Sequence, residues 1–241
     1  SVCCKVLLEH IIQSTVMTHL DTHNIICPNQ RGFRKGHSCE SQLINTIQDL
    51  TEAADKGKQT DMIIMDFEKA FDKVPHRRLL AKLHNYGIRG KLHNWVTSFL
   101  TKRQQRVMVN GEVSDFVPVT SGVPQGTVTG PMWFLIFIND LPDNIKSNIR
   151  LFADDCVLYR TVKSPSDAEI LQHDLNTLTS WQDRWLMKFN EKKCYVMRIT
   201  QSNSPLQFTY KLNNSNLQET ANHSYLGVEI SKDLKWNQHI F

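Results

Sequence analysis

The chain has little that would bind zinc. Its six cysteines (Cys3, Cys4, Cys27, Cys39, Cys156 and Cys194) include no C-x-x-C pair. That pattern argues against a zinc site and fits reduced thiols in a nuclear or cytoplasmic setting. Long apolar runs are also missing. The longest, residues 132–138, falls far short of the ~20 residues of a membrane span, so no membrane partner is expected. Residues 1–5 do not read as the charged start of a secretory leader, and an opening serine suggests a piece of something longer. There is no internal repeat and no low-complexity linker. Acids are scarce in one stretch: from residue 69 to 110, ten Lys and Arg face a single acid, Asp72. The segment is +9 in a chain of net charge +4, which leaves −5 for the rest. Such a block suits a phosphate backbone, with Lys102, Arg103 and Arg106 as candidate contacts. A solvated helix face is the plainer alternative.

What the chain does have is an apolar fraction of 40%, enough for a sizeable core, laid out in readable periods. Residues 6–20 are apolar at helical spacing. Ser38 is placed to cap a second helix running through Ala54 and ending near Gly57. A strand over residues 62–66 follows. Pro75 suits the first turn of a helix reaching about Asn85, and another helix covers residues 91–100. Asn110-Gly111, between residues 106–109 and 113–119, is the strongest short hairpin signal. An apolar helix follows Pro131, then a hairpin over 151–158, then an amphipathic helix from Ser166 or Asp167 to Trp185. Residues 195–199, 207–212 and 225–230 read as strands. The expected class is α+β, a mainly antiparallel sheet with helices packed on one face.

Within this frame, Leu151-Phe152-Ala153-Asp154-Asp155-Cys156-Val157-Leu158 puts two adjacent aspartates at a hairpin tip between apolar flanks. Carboxylates held that way normally bind a cation, although an ordinary solvated turn looks the same in isolation. The run 62–65, read as a strand buried on both faces, ends on Asp66. Three aspartates on neighbouring strand ends can hold two divalent ions, as in-line nucleotidyl transfer requires. Between these segments lies Ser121-Gly122-Val123-Pro124-Gln125-Gly126. Its glycines let backbone approach a ligand, and Gln125 offers a donor and an acceptor. A plain connector is the competing reading.

The ordered set resembles the palm of a reverse transcriptase, and is most similar to non-LTR (LINE-type, jockey-like) retrotransposon polymerases. Asp66 with Ala70-Phe71-Asp72 resembles the family's first palm motif, residues 121–131 the second, and Phe152-Ala153-Asp154-Asp155 the third. Trp185 to Cys194, with Asn190 and Lys193 spaced Asn-x-x-Lys, resembles the next. Tyr225-Leu226-Gly227-Val228 resembles the primer grip, and Asn29-Gln30-Arg31-Gly32-Phe33-Arg34-Lys35-Gly36-His37-Ser38 the element before the palm.

The resemblance implies RNA-templated DNA synthesis on an RNA template and a DNA primer, with deoxynucleoside triphosphates as substrates. It implies two Mg²⁺ ions, with Mn²⁺ as the substitute, on Asp66, Asp154 and Asp155. Lys193 would protonate the leaving pyrophosphate. Phe67, Phe71, Gln125 and Gly126 would meet the nucleotide, with Phe71 excluding a 2′-hydroxyl. Arg31, Arg34, Tyr225, Leu226 and Gly227 would touch nucleic acid. It further implies partial fingers over residues 1–57 and a palm over 58–241. Some finger strands, the thumb and an endonuclease would belong to the rest of a retroelement polyprotein, so this piece alone would be feebly active. A catalytically inactive remnant that only binds nucleic acid remains the alternative, and a two-metal nuclease ranks last.

Overall fold

The computed structural model describes residues 2–235, with side chains from Lys5 onward; Ser1 and residues 236–241 of the expected palm segment lie outside them. Helix α1 (Val2–Thr22) and helix α2 (Cys39–Asp55) precede strand β1 (Gln59–Met65). Then come α3 (His76–Asn85), α4 (Gly90–Thr101) and four two-residue strands: β2 (Gln104–Gln105), β3 (Met108–Val109), β4 (Glu112–Val113) and β5 (Val117–Pro118). Helix α5 (Gly130–Ile138), β6 (Asn148–Phe152), β7 (Asp155–Val162) and α6 (Pro165–Trp185) follow. The remainder is β8 (Tyr195–Ile199), β9 (Lys211–Leu212), β10 (Ser215–Asn216), β11 (Gln218–Glu219), β12 (Asn222–Tyr225) and β13 (Val228–Ser231). No helix among the described residues is long and apolar enough to cross a membrane.

The chain forms two compact units, and each is built from separated segments. One holds the chain through Cys27, Lys69–Asp140 and Trp185–Met187; the other holds Pro28–Glu68, Leu141–Arg184 and the described residues from Lys188 on.

The second unit carries a five-stranded sheet in the order β11-β8-β1-β7-β6. All its pairings are antiparallel except β11 with β8. The α+β class therefore holds. β1 is buried at all seven positions, as a strand covered on both faces should be. A continuous apolar run leaves no polar side to face water. Leu50 of α2 packs with Met62, Ile64, Val157, Tyr159 and Met197 in the core. The α2 start is fixed by Ser38: its hydroxyl accepts from Ser41 N–H at 3.2 Å, while Ser41 Oγ accepts from Ser38 N–H at 3.0 Å.

In the first unit, the apolar α5 is buried at eight of its nine positions. Glu9 of α1 satisfies the start of that helix, accepting from the N–H groups of Val128 (2.9 Å) and Thr129 (3.2 Å). Two expected strands change form. Residues 225–230 are a hairpin turn rather than one strand, because Leu226 (φ 50°) and Gly227 (φ 81°) reverse the chain between β12 and β13. Of residues 207–212, only the last two are strand.

Candidate active site

Asp66 follows directly on β1. The ladder pairs Met65 with Cys156, so one further step along the same register brings Asp66 beside Asp155. Asp155 opens β7, and β6 reaches it through a two-residue turn, Ala153-Asp154, closed by the Phe152–Asp155 pair. Thus one ladder and one turn gather the three aspartates. The Asp66 backbone is pinned by Asn190 N–H, which donates to its carbonyl at 2.7 Å. The single turn Glu191–Lys193 then carries Lys193 back over the strand end, and its ammonium sits 3.1 Å from Asp66 Oδ2.

The electrostatics reflect this crowding. Lost solvation raises the Asp154 carboxyl above its ordinary range, and the charge of Asp66 adds to the rise. Asp155 is pushed up to about 6, first by lost solvation, then by the charges of Asp154 and Asp66; His223 partly offsets this. Asp155 still opens on solvent, so its shift belongs to a crowded wall of a cleft rather than to an interior. That cleft, of about 380 Å³, is lined by Asp66, Asp155, Lys193, Tyr195, His223 and Ser224 among others. The last three were not singled out from sequence.

The donor set suits a hard divalent ion. It consists of carboxylate oxygens, which Mg²⁺ and Mn²⁺ prefer. Among the described residues, no three His, Cys, Asp or Glu side chains already form a closed metal cluster. A magnesium site normally uses one or two carboxylates and completes its shell with substrate phosphates and water. The residues therefore fit a hard divalent ion whose shell is completed by oxygen ligands from outside the chain.

The turn is supported from outside. Ala153 stands at φ 53°, a region that costs a residue with a Cβ about 1–2 kcal/mol. Gln30, only 1% exposed, accepts the Ala153 N–H at 2.9 Å and donates to the Ala153 carbonyl at 3.1 Å.

The other expected residues fall into distinct places. Phe67 is buried and stacked on Phe189 at 4.5 Å, so its ring is inside and not open to a ligand, contrary to the expectation from sequence. Tyr225 is also inside, its hydroxyl accepting from Gln42 Nε2 at 3.3 Å, so in this segment Leu226 and Gly227 hold the turn itself. Arg31 follows Gln30 directly and Arg34 donates to the Gln30 carbonyl at 3.3 Å; together they hold the His37 ring below its ordinary pKa, after the larger effect of burial. In the first unit, Phe71 stacks on Phe134 at 4.5 Å. Gln125 donates to Asp72 Oδ1 at 2.9 Å, next to the exposed Gly126. Gln125 and Asp72 line a cleft of about 670 Å³ with Lys69, Lys73 and Arg103. Lys102, Arg103 and Arg106 are all exposed, with Arg106 4.8 Å from the Phe116 ring.

The family model for reverse transcriptase (RNA-dependent DNA polymerase) matches residues 2–230. The chain belongs to the reverse transcriptase family. Among its relatives, the "Probable RNA-directed DNA polymerase from transposon BS" of Drosophila melanogaster is 28% identical, across 97% of this chain and 27% of its own length. The RNA-directed DNA polymerase from mobile element jockey of the same fly is 28% identical, across 97% of this chain and 26% of its own. This reverse transcriptase chain thus spans about a quarter of the length of those retrotransposon proteins. In fold it is similar to a telomerase from Candida tropicalis, solved with a fragment of telomeric RNA. The TM-score is 0.66 at 11% identity, over 98% of this chain and 38% of that one.

Proposed function

We propose that this chain is the catalytic core of a retrotransposon polymerase that makes DNA on an RNA template. The observation that carries the proposal is the register that sets Asp66 beside Asp155, with Asp154 in the adjoining turn. Asp66, Asp154 and Asp155 would hold Mg²⁺, or Mn²⁺ in its place. When bound, the metal supplies a more acidic primer 3′-hydroxyl and neutralises charge on the leaving pyrophosphate. Lys193, whose ammonium already lies at the edge of the cleft, gives a proton to that leaving group. Phe71 lies under the deoxyribose and rejects a 2′-hydroxyl. Gln125 and Gly126 position the incoming nucleotide, and the Phe67 backbone borders it. Arg31, Arg34, Leu226 and Gly227 touch template or primer. The exposed cations at Lys102, Arg103 and Arg106 follow the phosphate backbone. Partial fingers over residues 1–57, a palm over 58–241 and a nuclear or cytoplasmic site of action belong to the same proposal.

The test is extension of a DNA primer on an RNA template with deoxynucleotides and Mg²⁺, by the polymerase that contains this chain. Asp154→Asn should end extension and spare RNA binding. Extension that survives Asp154→Asn would refute the proposal. The second reading, a remnant that only binds nucleic acid, is favoured by the exposed basic block; it predicts RNA binding and no extension by the unaltered chain.

A further inference from the structure

The segment Asn29-Gln30-Arg31-Gly32 forms a strap along the open edge of the sheet. β6 is the last strand on that side. Residue 30 bridges Leu151 in parallel. The Leu151 N–H donates to the Asn29 carbonyl at 2.9 Å, and the Arg31 N–H donates to the Leu151 carbonyl at 3.0 Å. Asn29 Nδ2 adds a bond to the Ile149 carbonyl at 2.9 Å. Covering an edge in this way is ordinary. What happens where the strap meets the turn is not.

There the strap's backbone stops pairing and the Gln30 side chain takes over. Its Oε1 accepts two N–H groups, from Ala153 (2.9 Å) and Gly32 (2.8 Å), and its Nε2 donates to the Ala153 carbonyl (3.1 Å). The amide treats Ala153 as a neighbouring strand would, serving its N–H and its C=O together. The approach is close enough that a Cβ on Gly32 would lie 2.2 Å from Ala153 N. A buried amide with these bonds has one geometry, and so does the backbone it grips.

We infer that Gln30 is a positioning residue for the metal-binding carboxylates. It clamps Ala153 in the left-handed conformation and thereby fixes the turn that presents Asp154. The inference rests on the polymerase reading of Asp66, Asp154 and Asp155. A group that orients a metal ligand without touching the metal is typically worth 10–100-fold in metal affinity.

The experiment uses the polymerase that contains this chain, with Mn²⁺ alone as the probe, read by electron paramagnetic resonance without nucleotide. Gln30→Met keeps the volume and removes all three side-chain bonds. It should weaken Mn²⁺ binding by about tenfold or more and raise the Mg²⁺ needed for half-maximal extension in step, while RNA affinity stays unchanged. Adding Ala153→Gly should recover part of the loss, because glycine enters the left-handed region without a Cβ penalty. A Gln30→Met protein that melts earlier but binds Mn²⁺ as tightly as the unaltered one would overturn the inference. So would a loss of affinity that Ala153→Gly does not touch. Should Gln30→Met fail to fold, Gln30→Asn, one methylene short of Ala153, carries the same expectation and the same refutation. If Asp154→Asn leaves Mn²⁺ binding unaltered, the metal site itself is misassigned, and both readings fall on that control rather than on Gln30.

Discussion

Two of the two-residue hairpin turns, β3–β4 and β6–β7, have opposite surroundings. The β3–β4 turn is Asn110-Gly111, at φ 51° and 87°. Those residue types favour that geometry unaided, and every residue of its short strands is exposed. The β6–β7 turn begins with Ala153 at φ 53°, where alanine is a poor choice. This turn is the one gripped by a buried glutamine, with Leu151 and Cys156 buried on either side of it. Where local chemistry suffices, the protein adds no tertiary support. Where an alanine must sit in the left-handed region, the turn is fixed from outside.

Breaking the supported turn should have the largest effects. Asp154→Asn should take primer extension down to background, a loss of about 10³-fold or more, the scale of losing a group that stabilises a transition state, while RNA binding persists in a filter or anisotropy assay. Parallel loss of both would indicate a folding defect. Just before the exposed hairpin, reversing Lys102, Arg103 and Arg106 to Glu should weaken binding to all sequences alike. The slope of log affinity against log salt should fall by about 0.7–0.9 for each phosphate that is no longer neutralised. An unchanged slope would move the phosphates elsewhere.

Stability separates the hairpins again. Gly32→Ala drives a Cβ into the Ala153 backbone and should cost about 1–3 kcal/mol by urea unfolding. Gly111→Ala meets nothing within 4 Å and should cost only about 1 kcal/mol, through its positive φ alone. Equal costs would erase the contrast.

The smallest effect concerns pH. Asp155 has a folded pKa of about 6, against an ordinary 3.8. The folded chain therefore binds this proton more tightly than the unfolded one, and the group's contribution to stability falls as pH rises from about 4 through 6. In a chelator, Asp155→Asn should match the unaltered protein below pH 4 and melt higher above pH 6. A difference that is the same across that range would mean the shift is not the cause.

The sequence made some of this legible and hid the rest for physical reasons. Residues 62–65 could be read as a doubly buried strand because burial on both faces removes alternation. Ser38 and Asn110-Gly111 act on their immediate neighbours, so their types suffice. The grip of Gln30 spans 123 positions and depends on one polar residue in a loop, where no periodicity operates. Residues 225–230 looked like one strand because the apolar pattern runs through Leu226, whereas Gly227 turns the chain. Phe67 carried a motif signal that gave no hint its ring faces Phe189.

The placement of β1 bears on how the chain is made. It is the middle strand of the sheet, yet Met62 pairs with Tyr159 and Met197, both about a hundred residues or more downstream. At ribosomal speeds of about 5–20 residues per second, the apolar strand waits several seconds for its first neighbour and longer for its second. A nascent chain halted before Asp155 presents residues 62–65 with neither flank paired, which is the state most open to misassociation. Synthesis that stalls between β1 and β7 is therefore the point at which this protein most needs a chaperone.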